Sequence, residues 1–188
     1  MAKKKVIEIS VPEGITARME GNKLTMSGNS KEITKQFKIN LIDIKIEDSK
    51  IILEAKNTNR KIIALLNTYA AHINNMITGL KKGFYYKLAI VHSHFPMKVS
   101  VQGDVVEINN FCGEKTPRYA KILPNATVEV KGKEIIVKSH DKEAAAQTAA
   151  NLENATKVRG KDERRFQDGI YIVEKGVVEE GGNKDEQK

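Results

Sequence analysis

Met97-Lys-Val-Ser-Val-Gln-Gly-Asp-Val-Val-Glu-Ile108 sets two alternating runs on either side of Gly103-Asp104. Alternation at period two puts one set of side chains on a single strand face, and a glycine-containing turn suits the positive φ of a tight hairpin, so the stretch predicts an antiparallel hairpin. Thr16-Ala-Arg-Met-Glu20 and Lys23-Leu-Thr-Met-Ser27 flank Gly21-Asn22 in the same way. Sliding the chain against itself by 82 residues places Gly21 on Gly103, Leu24 on Val106, Met26 on Ile108 and Phe37 on Tyr119. At a shift of 84, Ile51-Ile52-Leu53 falls on Ile135-Ile136-Val137 and Asn57 on Asp141. Matches at nearly one offset, in one element order, imply an internal duplication into two similar domains, joined near Gly79 to Tyr85.

Working outward, Ile7, Ile9 and Val11 share a face and predict a strand that Pro12 and Gly14 stop. Lys31 to Ile39 is expected to pair with the first hairpin, and Leu41–Glu47 with Ile51–Ala55 forms another. From Asn57 the period changes: Ile62, Leu66, Tyr69, Ile73 and Met76 or Ile77 make a helical stripe expected to stop at Gly79. In the second half, Thr127–Lys138 predicts a hairpin around Gly132. Asp141 then opens an alanine-rich helix with Ala145, Ala149, Leu152 and Ala155 on one side. The fold class is therefore α+β: two tandem duplicated domains, each an antiparallel sheet packed against one helix. The first domain is residues 1–82 and the second residues 83–175. Residues 176–188, with Glu179, Glu180, Asp185 and Glu186 and few apolar side chains, are expected to form a disordered acidic tail.

The chain carries a formal charge of +8 and a sequence pI of about 9.4, which points to a polyanionic partner. One cysteine, Cys112, rules out an internal disulfide and favours a reducing compartment. No apolar run approaches a membrane span and the N-terminus lacks the apolar core of a secretion signal, so a soluble intracellular protein is expected, with no membrane partner.

The second helix is followed by a stretch without a counterpart in the first half, Lys157-Val-Arg-Gly-Lys-Asp-Glu-Arg-Arg-Phe-Gln-Asp-Gly-Ile-Tyr-Ile-Val-Glu-Lys175. Five cations, Lys157, Arg159, Lys161, Arg164 and Arg165, stand against Asp162 and Glu163. Phe166 and Tyr171 then surround an Asp168-Gly169 turn that leads into an extra strand, Gly169 to Val173. Cations beside flat side chains suit nucleic acid, since phosphates dominate affinity and bases can stack on rings. By composition alone the stretch fits a solvated loop equally well. A second basic cluster is Gly113-Glu-Lys-Thr-Pro-Arg-Tyr-Ala-Lys121, in which Lys115, Arg118 and Lys121 surround Tyr119. Gly79-Leu-Lys-Lys-Gly83 resembles a phosphate loop in composition only, because it lacks the Gly-Lys-Ser/Thr ending. His92-Ser-His94 has no accompanying cysteine or carboxylate at metal-ligand spacing. Neither His72, in the helical stripe, nor Cys112 has a local catalytic constellation.

Arg164-Arg-Phe-Gln-Asp-Gly-Ile-Tyr-Ile-Val-Glu-Lys175 resembles the carboxy-terminal signature of the large-subunit ribosomal protein family "L six", archaeal and eukaryotic branch. Gly83-Phe-Tyr-Tyr-Lys-Leu with His94-Phe-Pro, and Asn110-Phe-Cys-Gly-Glu-Lys with Arg118, are similar to the same branch, and the likeness covers residues 6 to 175. The resemblance implies a ribonucleoprotein component that is no enzyme and needs no cofactor or metal. It implies binding to large-subunit rRNA near the sarcin-ricin loop and the base of the factor-binding stalk, beside neighbouring ribosomal proteins and, indirectly, translation factors, in cytoplasmic ribosomes. Mapped onto matching positions, Lys157, Arg159, Lys161, Arg164 and Arg165 would meet phosphates. Phe166 and Tyr171 would pack or stack, Asp168 and Gly169 would shape the turn, and Lys115, Arg118 and Lys175 would belong to the same surface. The alternative from another class is a small α+β enzyme using His92, His94 or Cys112 in a cleft.

Overall fold

The computed structural model describes residues 5–47, 49–57, 59–162 and 164–178. The chain divides into two compact units, Met1–Lys81 and Lys82–Lys188. In the first, β1 (Val6–Ser10), β6 (Lys50–Ala55) and β5 (Ile42–Glu47) form one antiparallel sheet in that order. The strands β2 (Ile15–Glu20), β3 (Lys23–Gly28) and β4 (Lys31–Gln36) form another, and α1 (Arg60–Lys81) is the one helix. The expected strands are thus split between two small sheets. Each gives its apolar face to one core: Leu24 and Met26 from β3, Ile42 from β5, Ile51 and Leu53 from β6 meet Leu66 and Ile73 of the helix, all fully buried. Each such side chain contributes about 1.5–3 kcal/mol by leaving water. Phe37 closes the end of this core, edge-on to Tyr69 at 4.8 Å, while the Tyr69 hydroxyl bonds the backbone of Lys38.

The helix does not stop at Gly79. That residue is buried inside α1, which continues to Lys81. A helical glycine costs only about 1 kcal/mol, less than the Leu80 burial lost if the turn unwound. Gly83, at φ 83°, turns the chain instead.

The second unit repeats the plan. The strand β7 (Phe84–Val91) takes the place of β1 beside β12 (Glu134–Ser139) and β11 (Ala126–Lys131), and β8 (Lys98–Gln102), β9 (Val105–Asn109) and β10 (Arg118–Lys121) match the β2-β3-β4 sheet. The helix α2 (Lys142–Ala155) packs through Ala145, Ala149 and Leu152 on a core of Leu88, Ile108, Ile135 and Ile170. A nine-residue addition, β13 (Gly169–Val177), pairs antiparallel with the free edge of β7, with a bulge between Ile172 and Glu174. The strand thus runs past Val173 into residues placed in the tail, and the Val178 N–H bonds the Gly83 carbonyl at 3.0 Å. Residues 179–188, which hold the acidic side chains of the expected tail, lie outside the described residues. Among the described residues no helix is long and apolar enough to cross a membrane.

One pairing of the internal repeat needs correcting. The Phe37 N–H bonds the Asn22 carbonyl at 2.8 Å, and the equivalent bond in the second unit runs from Ile122 to Asp104, also at 2.8 Å. Phe37 therefore corresponds to buried Ile122. Tyr119 is 57% exposed against 2% for Phe37. The offset slips because the β9–β10 connection holds an extra turn, η1 (Phe111–Gly113), where β3 and β4 are joined by Asn29 and Ser30 alone. The Asp141 side chain caps α2 by accepting from the Glu143 N–H at 3.0 Å. Asp141→Ala should lower stability by about 1 kcal/mol, read as a shifted urea midpoint, with Asp141→Ser close to the parent.

Candidate nucleic-acid interface

Three connections of the second unit converge on one carboxylate: residues 92–96 after β7, 110–117 between β9 and β10, and 157–167 between α2 and β13. Asp168 immediately precedes β13 and is 1% exposed. Its Oδ1 accepts the Ser93 N–H and, at 3.4 Å, the His94 N–H. Its Oδ2 accepts His94 Nδ1–H at 3.0 Å and the Cys112 thiol at 3.8 Å. Burial pushes the Asp168 carboxyl up, but the Ser93 N–H, the His94 imidazole and the His94 N–H together outweigh it and hold the group below its ordinary value. The carboxylate is thus a clamp that ties all three connections to the sheet.

Arg118 is a second clamp. Its Nε and Nη2 form a fork on Glu114 at 2.8 and 2.6 Å, while Nη1 donates to the carbonyls of Ala155 at 2.9 Å and Lys157 at 3.1 Å, at the end of α2. The guanidinium carbon lies 4.2 Å from the Phe111 ring centroid. The hydrogen bond from Arg118 holds Glu114 below the usual carboxylate range. With its donors turned onto the protein, Arg118 fixes the loop on which Lys115 is exposed and the start of β10, where Tyr119 is exposed.

The basic connection itself is built on a side-chain turn. Asp162 Oδ1 accepts the Arg164 N–H at 3.0 Å, and the Asp162 carbonyl accepts the N–H groups of Arg165 at 3.1 Å and Phe166 at 2.9 Å. Lys157, Arg159, Arg164 and Arg165 are exposed and pair with no carboxylate among the described residues; Glu163 lies outside them. Phe166, half-buried rather than a core plug, stacks on His94 at 4.8 Å and 26°, and Lys161 Nζ sits 4.7 Å from its ring centroid. Thr156, Lys157, Val158, Phe166, Ile170 and Tyr171 line a cleft of about 380 Å³ beside this turn. The Tyr171 hydroxyl donates to the Gln167 carbonyl at 3.2 Å. Its ring crosses Gly169 so closely that a Cβ there would lie 3.1 Å from ring carbon, so a larger residue would push the ring aside by a few tenths of an ångström.

The structure thus gathers Lys157, Arg159, Lys161, Arg164, Arg165, Phe166 and Tyr171, with Lys115 on the neighbouring turn. It places Asp168 and Gly169 in the interior as shapers of the turn, directs Arg118 inward, and sets Lys175 about 13 Å further along β13 from Tyr171 at ~3.3 Å per residue. The sequence marked His94-Phe-Pro as a family motif and His94 as a ligand or catalytic candidate, but gave no role to Phe95, which is 46% exposed next to it. The adjacent Pro96 and the aromatic on a connection longer than its β1–β2 counterpart were the available signal.

The enzyme alternative meets a different geometry. His92 does not join the cluster, and the Cys112 thiol bonds the carboxylate rather than the imidazole. Burial raises its pKa and the Asp168 charge adds to it, so the reactive thiolate is disfavoured. Among the described residues no three His, Cys, Asp or Glu side chains are arranged to hold a metal ion.

A family model described as Ribosomal protein L6 matches the chain twice, over residues 11–83 and again over residues 95–169. This chain belongs to the ribosomal protein L6 family. The second match begins within the first of the three connections, takes in residues 110–117 and 157–167 whole, and ends where β13 begins. The chain is 45% identical to the large ribosomal subunit protein uL6 of Methanococcus vannielii, over 89% of this chain and 92% of that one. It is 48% identical to the uL6 of Ignicoccus hospitalis, over 90% and 94%, and 45% identical to that of Aeropyrum pernix, over 92% and 96%. Family membership agrees with the resemblance carried by the motifs at residues 83–96, 110–118 and 164–175, and with the duplicated architecture.

Proposed function

We propose that the chain is a structural, non-enzymatic constituent of the large ribosomal subunit in the cytoplasm, and that residues 83–175 bind large-subunit rRNA by shape and phosphate position. The observation that carries this reading is the set of exposed cations Lys157, Arg159, Arg164 and Arg165, unpaired among the described residues, on a turn anchored to a rigid sheet. Surface cations are ordinarily interspersed with anions. A cluster whose cations outnumber the loop's two anions and form no ion pair among the described residues is suited to phosphate, and on a clamped loop it binds with little ordering cost. Membership of a family whose archaeal relatives are large-subunit proteins supports the same partner. In this reading Lys115 and Lys161 extend the phosphate-binding surface and Arg118 positions it. The RNA is the region near the sarcin-ricin loop and stalk base, so that neighbouring ribosomal proteins touch the chain and translation factors depend on it indirectly.

The test is co-sedimentation with large subunits through high-salt washing, together with rRNA affinity measured across a salt series. Replacing Arg164 and Arg165 by Ala should make the slope of log K against log salt shallower by about 1 to 2 units, at just under one per phosphate contact. A folded double variant with the parent slope would remove these arginines from the interface, and failure to co-sediment would sink the assignment to the subunit.

A further inference from the structure

Phe95 is held in place while leaving its ring open. The N–H groups of Ser93 and His94 before it are bound by Asp168, and the Pro96 carbonyl after it accepts Asn110 Nδ2–H at 3.0 Å. Beneath it runs the backbone of Gly113, at φ 80°, where a Cβ would meet two ring atoms of Phe95 at 3.3 Å. Any side chain there would be strained by that φ and would press on the ring. The ring is nonetheless 46% exposed. A phenylalanine fixed on both sides by hydrogen bonds and backed by a glycine is thus left with nearly half of its surface uncovered by its own chain.

Its surroundings say what would cover it. Lys115 is exposed two residues beyond the supporting Gly113, and Lys161 and the Phe166–His94 stack stand on the connections that Asp168 joins to the same segment. An open aromatic face on connections that also carry exposed cations complements a nucleobase whose own phosphate those cations can meet. Protein anchors of this size instead sit in apolar surroundings with charge at the rim. We propose that Phe95 is a stacking platform for one unpaired nucleobase of the bound RNA, extending the phosphate-binding turn into a two-part site. This rests on the rRNA-binding reading above.

The experiment uses the full chain and an in-vitro transcript of large-subunit rRNA. Phe95→Ala should weaken binding roughly tenfold without changing the salt slope, because stacking removes no phosphate contact, whereas Phe95→Tyr should retain the affinity. The chain has no tryptophan, so Phe95→Trp supplies a single fluorophore, and its emission should fall as RNA is added. Parent-like affinity of Phe95→Ala, or Phe95→Leu binding as tightly as Phe95→Tyr, overturns the stacking role while leaving the arginine slope intact. Unquenched emission on saturated RNA does the same. If Phe95→Ala binds RNA normally but fails to enter large subunits, the ring faces a protein neighbour and the proposal falls. Absence of RNA binding by the parent chain itself ends both readings together.

Discussion

Asp168→Ala will destabilise the second unit by about 3 kcal/mol, the loss expected when a buried carboxylate that accepts several hydrogen bonds is removed and its donors are left without an acceptor. The carboxylate is 1% exposed and receives the N–H groups of Ser93 and His94, the His94 imidazole and the Cys112 thiol, so truncation strands several donors at once. Urea unfolding of the full chain checks this, and Asp168→Asn, which keeps an acceptor, should lose less. An Asp168→Ala midpoint within error of the parent would mean that the three connections hold together without the clamp. The same group makes an acid-limb prediction. Its folded pKa is depressed, so its contribution is present above the unfolded value of about 3.9 and is lost as pH falls through the folded value below it. The parent should therefore lose stability below about pH 4 more steeply than Asp168→Asn.

Arg118→Ala should cost about 2–4 kcal/mol, since it removes a fork on Glu114, two bonds to carbonyls at the end of α2 and a cation over Phe111. Arg118→Lys should rescue little of it, because an ammonium cannot hold a carboxylate fork and two carbonyls together. The informative measurement is the RNA salt slope of whatever fraction stays folded. An unchanged slope assigns Arg118 to holding the loop. A slope lower by about one unit would place its charge on a phosphate instead, contrary to its contacts here.

Much of the fold was legible because strand and helix periodicities are local. The hairpins at Gly21-Asn22, Gly103-Asp104 and Gly132, and the Asp141 cap, follow from a few adjacent side chains. Gly79 was misread as a stop because helix propensity is weak beside the burial of Leu80. Phe37 was matched to Tyr119 because a fixed offset cannot register an inserted turn; the bonds from Phe37 and Ile122 to their hairpins reveal it. The split of each antiparallel set into two sheets is set by which faces share a core, which alternation does not state.

For the interface, residue types and charge marked Lys157 to Tyr171, and the motifs at residues 83–96 and 110–118 tied it to the ribosomal protein L6 family. Taken alone, then, the sequence determined the duplication, the α+β class, the family and the basic segment. Tertiary structure decided which of its side chains face out. Arg118 was read as part of the basic surface and Asp168 as a shaper of its turn; besides Glu114, four residues from Arg118, the groups that hold them inward lie 74 or 75 residues from Asp168 and 37 or 39 from Arg118. A charged side chain turns inward only where distant groups meet its desolvation cost, and those groups are brought together by folding rather than by neighbouring residues.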